Sequence, residues 1–491
     1  MNIQKSLIIS LFFLLTACTV GPDYKRLTVQ LPSKFKETPK GWKVAQPKDD
    51  FDRGQWWKIF NDPQLTALEQ KLNVSNQSVA TAEANFKQAL SLIDEARASY
   101  FPTLTGSANL TRQRRAPGGT TFNSVNSSGA STFGTASTGG GSSGGSPVST
   151  FHSLLLNGSW EPDIWGLVHR SVEASVAGAQ ASAALLASTR LSSQASLAQY
   201  YFELRALDRD QQILNDTMKN YQDTLKLVQD QFASGVVSMA DVVQAQSQLQ
   251  VAQAQAINNG VARAQYEHAI AMLIGQPPET FSMPFSPLRS TPPAIPMQVP
   301  SVWLERRPDI AQAERLMAQA NAQIGVAIAA FYPSFTLTGS GSYGHPNYNN
   351  WLSIPGVGWA IGPQLAQLIF DGGLREATVA ADRAAFESSA ASYRQTILVA
   401  FQDVEDNLSS LRILAQQAEV EAQAVASART VLRLVIDQYK AGTVAYSNVI
   451  TAQTTLLTAQ KSAADVNGLR MTSAVGLVKA LGGGWSDSAL N

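Results

Sequence analysis

The spacing of apolar residues predicts three long helical stretches. Apolar positions recur at helical spacing over residues 63–100, 166–232 and 373–439, and each of the last two stretches holds 67 residues. Asp62 followed by Pro63 is a good helix start, because the carboxylate can cap the first turn and proline fits its first position. Periodic stretches far longer than about 25 residues are typical of coiled coils or helical arrays.

Apolar and polar residues alternate with a period of two in four shorter segments. These segments span residues at about 102–112, 149–161, 334–345 and 357–369. About ten residues is the length that a strand needs to cross a bilayer obliquely. Between the first two segments, residues 112–147 are dominated by Gly, Ser and Thr, which is a flexible-loop composition, and no structure is predicted for them.

The chain contains one stretch twice. Residues 228–253 return at 435–460 with 11 of 26 positions identical and no gap. Each copy runs from one helical pattern through a glycine, Gly235 or Gly442, into another helical pattern, so each predicts the tip of a helical hairpin. Other pairs of segments repeat in the same order along the chain, which indicates a tandem duplication.

The first residues have the pattern of an export signal. Lys5 precedes an apolar run at 7–15, and small residues then lead to Cys18, the only cysteine of the chain. The LTAC sequence that ends at Cys18 resembles the bacterial lipobox, which implies a covalent acyl lipid on this cysteine and no other cofactor. The following residue is Thr19 and not Asp, which in such lipoproteins favours the outer membrane.

Six segments follow from these patterns. They are a signal peptide (1–17), a lipidated N-terminal tether (18–62), repeat 1 (63–274), a proline-rich connector (275–308), repeat 2 (309–482) and a C-terminal tail (483–491).

Composition argues against several classes of function. The chain has 491 residues, 44% of them hydrophobic, and only 15% charged residues that balance to zero, which disfavours nucleic acid as a partner. The four histidines fall in four separate predicted elements, so neither a metal site nor a catalytic triad is supported. We therefore expect no enzyme. The histidines are His152, His169, His268 and His345.

Four strands per chain cannot close a barrel, although closure is required in lipid. An open sheet edge leaves backbone groups without hydrogen-bond partners, and the hydrocarbon core holds no water to replace them. Two chains would supply eight strands and three would supply twelve, and both numbers can close. The predicted fold class is an α+β membrane protein in which an assembled strand barrel joins a long helical barrel.

The strand and helix order, together with several motifs, resembles the TolC/OprM family of outer-membrane efflux proteins. The motifs are the lipobox, GQWWKIFNDPQL at 54–65, FYPSF at 331–335 and the tips FASGVV and YKAGTV. The resemblance implies a homotrimer with a 12-stranded outer-membrane β-barrel that continues into a periplasmic α-helical coiled-coil barrel. It implies a passive conduit for drugs or other small molecules. The implied partners are a periplasmic adaptor protein and an inner-membrane transporter of the resistance-nodulation-division type.

The same resemblance implies a gate at the periplasmic helix tips. Alignment of the tip glycines gives Asp241 and Tyr439 as residues that hold the closed tip through interhelical hydrogen bonds. Asn448 and Thr451 occupy the positions at which TolC has aspartates, so the matching ring is uncharged here. For Asp241 a carboxylate that caps its own helix is an alternative, and for Tyr439 a core aromatic is equally plausible.

The exposed turns of the two tips are the implied contact with the adaptor. The residues concerned are Gly235 and Val236 in repeat 1 and Gly442 and Thr443 in repeat 2. In an alternative interpretation, glycine merely permits the turn at each tip.

Two other functions fit the predicted architecture. One is a duct for protein secretion by an ATP-driven type I system, which would use the same fold. The other, from a different class, is a lipid-anchored structural coiled-coil protein, which would not need four membrane-length strands.

Overall fold

The structure is a computed structural model that describes most of the chain after the predicted signal peptide. The described residues are 19–28, 36–37, 55–114, 148–289, 291–293, 295, 307–345 and 357–483. Residues 1–17 and Cys18, predicted as the signal peptide and the site of lipid attachment, lie outside them.

Two series of helices and strands follow one another along the described chain. After a 3-10 turn at Trp56–Phe60 come α1 (Pro63–Ser75), α2 (Gln77–Ala98), β1 (Thr103–Arg114), β2 (Val148–Trp160), α3 (Leu167–Ala233) and α4 (Met239–Leu273). A second 3-10 turn at Pro278–Thr280 precedes α5 (Pro308–Ala329), β3 (Ser334–His345), β4 (Val357–Ala366), α6 (Leu374–Lys440) and α7 (Tyr446–Ala480).

Element lengths repeat between the two halves. The helices α2 and α5 have 22 residues each, the long helices α3 and α6 have 67 each, and α4 and α7 have 35 each. The predicted internal duplication is thus present in the folded chain, and both long helices begin one residue after the predicted position. No described helix is both long and apolar enough to cross a membrane.

One continuous helix over 63–100 was the wrong prediction. Its start is as expected, because the Asp62 carboxylate accepts hydrogen bonds from the backbone N–H groups of Gln64 and Leu65. At Asn76, however, the backbone is extended, with φ −69° and ψ 121°. The Asn76 side chain accepts from the Val79 N–H at 2.9 Å and donates to the Leu273 carbonyl at 2.7 Å. This buried side chain starts α2 as a new helix and ties it to the end of α4.

The four strands form one antiparallel sheet in the order β1-β2-β3-β4. The two repeats meet where β2 pairs with β3, from His152 opposite His345 to Trp160 opposite Leu337. The last strand ends at Ala366 and not near 369 as predicted. The reason is pairing: Ala366 lies opposite Ser334, the first residue of β3, so the next residues of the alternating pattern have no strand beside them.

The chain divides into two compact units. Among the described residues, the sheet unit comprises those through Pro22 and those within Asp94–Val172 and Ile324–Ala380. The helical unit comprises the described residues within Asp23–Ile93, Glu173–Gln323 and Ala381–Asn491.

The main core of the helical unit includes a segment that was predicted as tether. Trp56, Trp57 and Phe60 are buried there against α1, α3, α4, α6 and α7. The indole N–H of Trp56 donates to Gln194 on α3 at 3.2 Å. Full burial of one large apolar side chain stabilises a fold by roughly 1.5–3 kcal/mol. The stretch at the end of the predicted tether therefore belongs to the folded unit.

A buried ion network holds the described part of the connector. Asp208 on α3 is fully buried and pairs with Arg205 at 2.9 Å and with Arg263 on α4 at 2.7 Å. The same carboxylate accepts from the Ser286 N–H at 2.9 Å, and Arg263 donates to the Met283 carbonyl at 2.8 Å. Removal of one partner from such a network typically costs about 3–5 kcal/mol, because it leaves a charge buried without compensation.

A second buried carboxyl group lies between the two repeats. Asp210 on α3 is 6% exposed, and its Oδ1 atom has no hydrogen-bond partner among the described residues. The helices run close together nearby, since a Cβ atom placed on Gly468 of α7 would lie 2.9 Å from that of Ala206. Burial and the neighbouring carboxylate of Asp465 raise the pKa of Asp210 to about 6, against the opposing charges of Lys461 and Arg209.

We expect Asp210→Asn to flatten the pH dependence of stability. The carboxyl group binds a proton more tightly in the folded chain, where its pKa is about 6, than at its ordinary value of 3.8. The stability that this proton supports is therefore present below the ordinary value and is lost as the pH rises through about 6. The midpoint of thermal unfolding should fall over this window in the wild type and much less in the variant. Asp94→Asn, at an exposed carboxylate, is the matched control, and equal slopes in all three proteins would contradict the prediction.

Candidate functional site

The two hairpin tips have the same backbone. The first lies between Ala233 and Met239 and the second between Lys440 and Tyr446. Gly235 has φ +72° and Gly442 has φ +71°, a left-handed conformation that glycine adopts without a steric cost. In each tip the residue after the glycine donates its N–H to the carbonyl five residues earlier, at 2.9 Å in repeat 1 and 3.0 Å in repeat 2. This is the Schellman ending of a helix, and it explains the repeated glycine.

The tips of the two repeats pack against each other. Three buried residues of repeat 1 and three of repeat 2 form one apolar cluster, which we call the tip cluster: Val228, Val242, Ala245, Tyr439, Tyr446 and Val449. The rings of Tyr439 and Tyr446 lie 5.5 Å apart between centroids. Movement of one hairpin away from the other would expose this cluster to water.

The structure places the Asp241 carboxylate at the start of its own helix. Its Oδ2 atom accepts from the Ser238 N–H at 3.0 Å and from the Ser238 hydroxyl at 2.8 Å. The Ser238 oxygen in turn accepts from the Asp241 N–H at 3.4 Å. These contacts form a capping box, the helix-capping alternative that the sequence left open.

Tyr439 lies close to Asp241 without a hydrogen bond between them. Its hydroxyl group is buried and has no hydrogen-bond partner in the part of the chain that the structure describes. Burial and then the charge of Asp241 raise the pKa of Tyr439. Tyr446 is affected in the same way, and its pKa rises to about 12 by burial and by the neighbouring Tyr439, Tyr221 and Asp241. A buried hydroxyl group without a hydrogen-bond partner lowers the stability of the fold. We therefore expect a second chain or bound water to supply the acceptor.

Repeat 2 lacks the capping box. Ala445 stands at the position of Ser238 with a similar backbone, φ −75° and ψ 157° against −86° and 158°, and gives no side-chain cap. Asn448 stands at the position of Asp241 and is exposed, as is Thr451, whose hydroxyl donates to the Ser447 carbonyl at 3.0 Å. The structure thus places these two predicted gate residues on the surface of α7, outside the tip cluster.

The four residues predicted to meet an adaptor are all exposed. Val236 shows 71% of its surface, and a Cβ atom built on Gly235 or Gly442 would meet no described atom within 4 Å. Thr443 donates its hydroxyl to the Gln438 carbonyl at 2.9 Å. Each tip therefore offers a small surface of fixed shape.

Sequence reasoning missed a set of glutamine contacts between the repeats. Gln453 on α7 is 4% exposed and donates to Thr224 on α3 at 3.1 Å. Gln248 on α4 donates to Thr454 at 3.0 Å. One clue was available, because Gln453 and Gln246 are identical residues at matching positions of the two copies. Among these two, only Gln453 is buried.

A groove of about 820 Å³ begins beside these contacts, between α3, α6 and α7. Its walls carry charges of both signs, contributed by Asp216, Asp223, Asp437, Arg429, Arg433 and Lys440. Within the described ranges, no group of three His, Cys, Asp or Glu side chains could hold a metal ion.

Comparison with known proteins relates the whole chain to outer-membrane channels. The family model described as Outer membrane efflux protein matches residues 68–276 and 299–483, which include most of both repeats. The pyoverdine export outer membrane protein OpmQ of Pseudomonas aeruginosa is 31% identical over 491 residues, which cover 99% of this chain and 98% of the relative. The antibiotic efflux pump outer membrane protein ArpC of Pseudomonas putida is 28% identical over 476 residues, 96% of this chain and 94% of the relative. A solved structure of the outer-membrane channel OprN aligns with a TM-score of 0.83 at 26% identity, over 95% of this chain and 100% of that one.

A capping box can be built into repeat 2 by Ala445→Ser together with Asn448→Asp. Because the backbone at Ala445 already resembles that at Ser238, we expect the new cap to stabilise the second hairpin by about 1 kcal/mol. The midpoint of thermal unfolding should rise in this variant. Ser238→Ala, which removes the existing cap of repeat 1, should lower it by a similar amount. Unchanged midpoints in both variants would show that neither cap contributes to stability.

Proposed function

The chain belongs to the outer membrane efflux protein family, and from that premise we propose that the paired hairpin tips of each chain form the periplasmic gate of an efflux duct. Membership confirms three predictions: the trimeric channel fold with a β-barrel and an α-helical barrel, the role as the outer-membrane channel of an efflux system, and the location in the outer membrane. Channels of this kind work with an adaptor protein and an inner-membrane transporter. They are passive conduits and not enzymes.

The tip cluster is the observation that carries the gate proposal. Tyr439 and Tyr446 of repeat 2 are buried against Val228 and Val242 of repeat 1. Opening by separation of the two hairpins must expose these side chains, and each would lose roughly 1.5–3 kcal/mol of burial if it became fully exposed. The closed tip is therefore the stable one in the isolated chain, and opening requires compensation from a partner.

Asp241 and Tyr439 are proposed to complete the closed tip across the trimer. The Tyr439 hydroxyl finds no acceptor among the residues described in one chain, and buried hydroxyl groups are nearly always hydrogen-bonded. A carboxylate or carbonyl of a neighbouring protomer would satisfy it. Asp241 uses one oxygen in its capping box, which leaves the other oxygen for such a contact.

The start of α4 has a side-chain cap and the start of α7 has none, which favours the tip of repeat 2 as the part that moves when the gate opens. A start without a cap unwinds at a lower cost, by about 1 kcal/mol. Asn448 and Thr451 would then border the opening, and as uncharged residues they favour weak selection by charge.

Contact with the adaptor is proposed at the exposed turns around Gly235, Val236, Gly442 and Thr443. A Cβ atom on either tip glycine would meet no described atom within 4 Å, and the turns are held in shape by their Schellman bonds. The charges of the groove between α3, α6 and α7 offer further polar contacts.

We also propose that Cys18 carries the acyl lipid and that the cargo is a drug or another small molecule. The relatives differ in cargo, since OpmQ is named for pyoverdine and ArpC for antibiotics, so cargo choice is assigned to the inner-membrane transporter. No observation favours a type I secretion duct or a structural coiled-coil protein over this function.

Single-channel conductance in a planar bilayer tests the gate. We expect small, brief currents from the wild type and larger, longer ones from Asp241→Ala combined with Tyr439→Phe, because the closed tip has lost its polar contacts. Thr430→Ala, at an exposed site on α6, should behave as the wild type.

Ser238→Ala separates gating from helix capping. It weakens the capping box but keeps the Asp241 carboxylate, so a gate role for the carboxylate predicts near wild-type currents. If Ser238→Ala opens the channel as much as the double variant does, the Asp241 carboxylate acts only as a cap. If no variant changes the current of an intact trimer, the proposed gate residues are wrong.

A further inference from the structure

A cavity of about 500 Å³ in the sheet unit has carboxylates in its lining. It lies where the residues before α3 approach the end of α5 and the start of β3. Glu161 and Asp163 line it, whereas the described lining contains no Lys, Arg or His side chain. The volume falls within the roughly 300–1,000 Å³ that small-molecule sites span. The proposed gate and adaptor contacts lie in the helical unit, so a site in this cavity is independent of them.

A pair of stacked aromatic rings forms one wall of the cavity. The rings of Trp165 and Tyr332 lie 4.9 Å apart between centroids, with an angle of 24° between their planes. The indole N–H of Trp165 donates to the Pro333 carbonyl at 2.8 Å, which fixes the ring and satisfies its only polar group. Tyr332 is 41% exposed, so a solute can reach this wall. The face of an aromatic ring is electrostatically negative and attracts cations.

The two carboxylates of the cavity differ in their surroundings. Asp163 accepts from the backbone N–H groups of Val168 at 3.1 Å and His169 at 2.7 Å. It therefore lies at the start of α3, where the helix dipole offsets part of its charge. Glu161 is exposed and lies outside the helix. Its charge is the less compensated of the two and stands at the mouth of the cavity.

Repeat 2 neutralises the matching carboxylate within the chain. Arg375 follows Gly373 by two residues, as Val168 follows Gly166 at the start of the other long helix. Arg375 pairs with Asp371, whose carboxylate also accepts from the backbone N–H groups of Gly373 and Arg375. Repeat 1 has the apolar Val168 in place of this arginine, and Val168 lines the cavity. The first repeat thus leaves a negative site that a cation from outside the chain can occupy.

We propose that the cavity binds a hydrophobic organic cation, whose charge lies near Glu161 and the stacked rings and whose apolar groups contact the rest of the lining. Besides the stacked rings, this lining contains Leu167, Phe335 and Leu368. A metal ion fits poorly, because hard cations require oxygen ligands on most sides and this wall is apolar. The carboxylates disfavour an anion of the same shape.

Equilibrium dialysis of a matched pair of ions tests the proposal. Tetraphenylphosphonium and tetraphenylborate have the same shape and opposite charges. Each ion is dialysed against the purified trimer in a non-ionic detergent, with detergent alone as the blank for partition into micelles. We expect saturable binding of one cation per chain and much weaker binding of the anion. Equal binding of both ions, or binding that does not saturate, would overturn the proposal.

Two changes of charge locate the bound cation. Glu161→Gln should raise the dissociation constant for tetraphenylphosphonium by about fivefold, as expected for an exposed charge pair. Ala330 lines the cavity and is exposed, so Ala330→Lys adds a positive charge there and should favour the anion over the cation. Glu376→Gln removes an exposed carboxylate from the first turn of α6 and should bind as the wild type does. Equal losses of affinity in Glu376→Gln and Glu161→Gln would show that only net charge matters, which contradicts a site.

Two tryptophan variants test the aromatic wall. Trp165→Leu should weaken binding of the cation by about tenfold, because the contact with the ring face is lost. Trp359→Leu, at a residue that is 79% exposed on β4, is the matched control and should leave binding unchanged. Unchanged affinity in an intact Trp165→Leu trimer would place the cation elsewhere. If Trp165→Leu does not assemble, Ala330→Lys decides in its place, and a persistent preference for the cation in that variant would contradict the proposal.

Discussion

Among the described residues, the two outer strands of the sheet each leave one edge without a partner strand. In the described residues β1 pairs only with β2, and β4 pairs only with β3. Backbone groups on such an edge would each cost several kcal/mol in a hydrocarbon environment. Pairing with other copies of the chain removes this cost, which makes assembly a condition of membrane insertion. The trimeric channel fold of the family satisfies that constraint.

Duplication gives the two halves the same backbone but different side-chain chemistry. The tips agree within one degree in the φ angle of their glycines. At the helix starts that follow, Ser238 and Asp241 form a capping box, whereas Ala445 and Asn448 do not. The repeated glutamine is buried as Gln453 in one half only. Equal scaffolds with unequal contacts support the proposal that one hairpin stays in place while the other moves.

Elements with a strong periodic pattern could be predicted from the sequence almost to the residue. The long helices begin at Leu167 and Leu374, directly after Gly166 and Gly373, whose positive φ angles of 80° and 91° start each helix sharply. The break at Asn76 was missed, because asparagine within a helical pattern becomes a cap only when its side chain finds partners, here Val79 and Leu273.

The candidate site was less predictable, because it depends on distances between repeats. Alignment of the tip glycines located Asp241 and Tyr439, but periodicity could not show that the carboxylate caps its own helix or that the tyrosine hydroxyl is buried without an acceptor. The buried carboxyl of Asp210 was also missed, since a single polar residue in a long amphipathic helix reads as a surface position until the neighbouring helix is known.

The equal length of the long helices restricts how such a chain can evolve. One residue inserted into α6 between the main core and the tip cluster would advance everything beyond it by about 1.5 Å and turn it by about 100°. Tyr439 would then point away from the tip of repeat 1, and the cluster could not form. A matching insertion in α3 would restore the contact. Length changes in α3 and α6 are therefore tolerated only in pairs, and the constraint applies to these helices and not to the loops between strands.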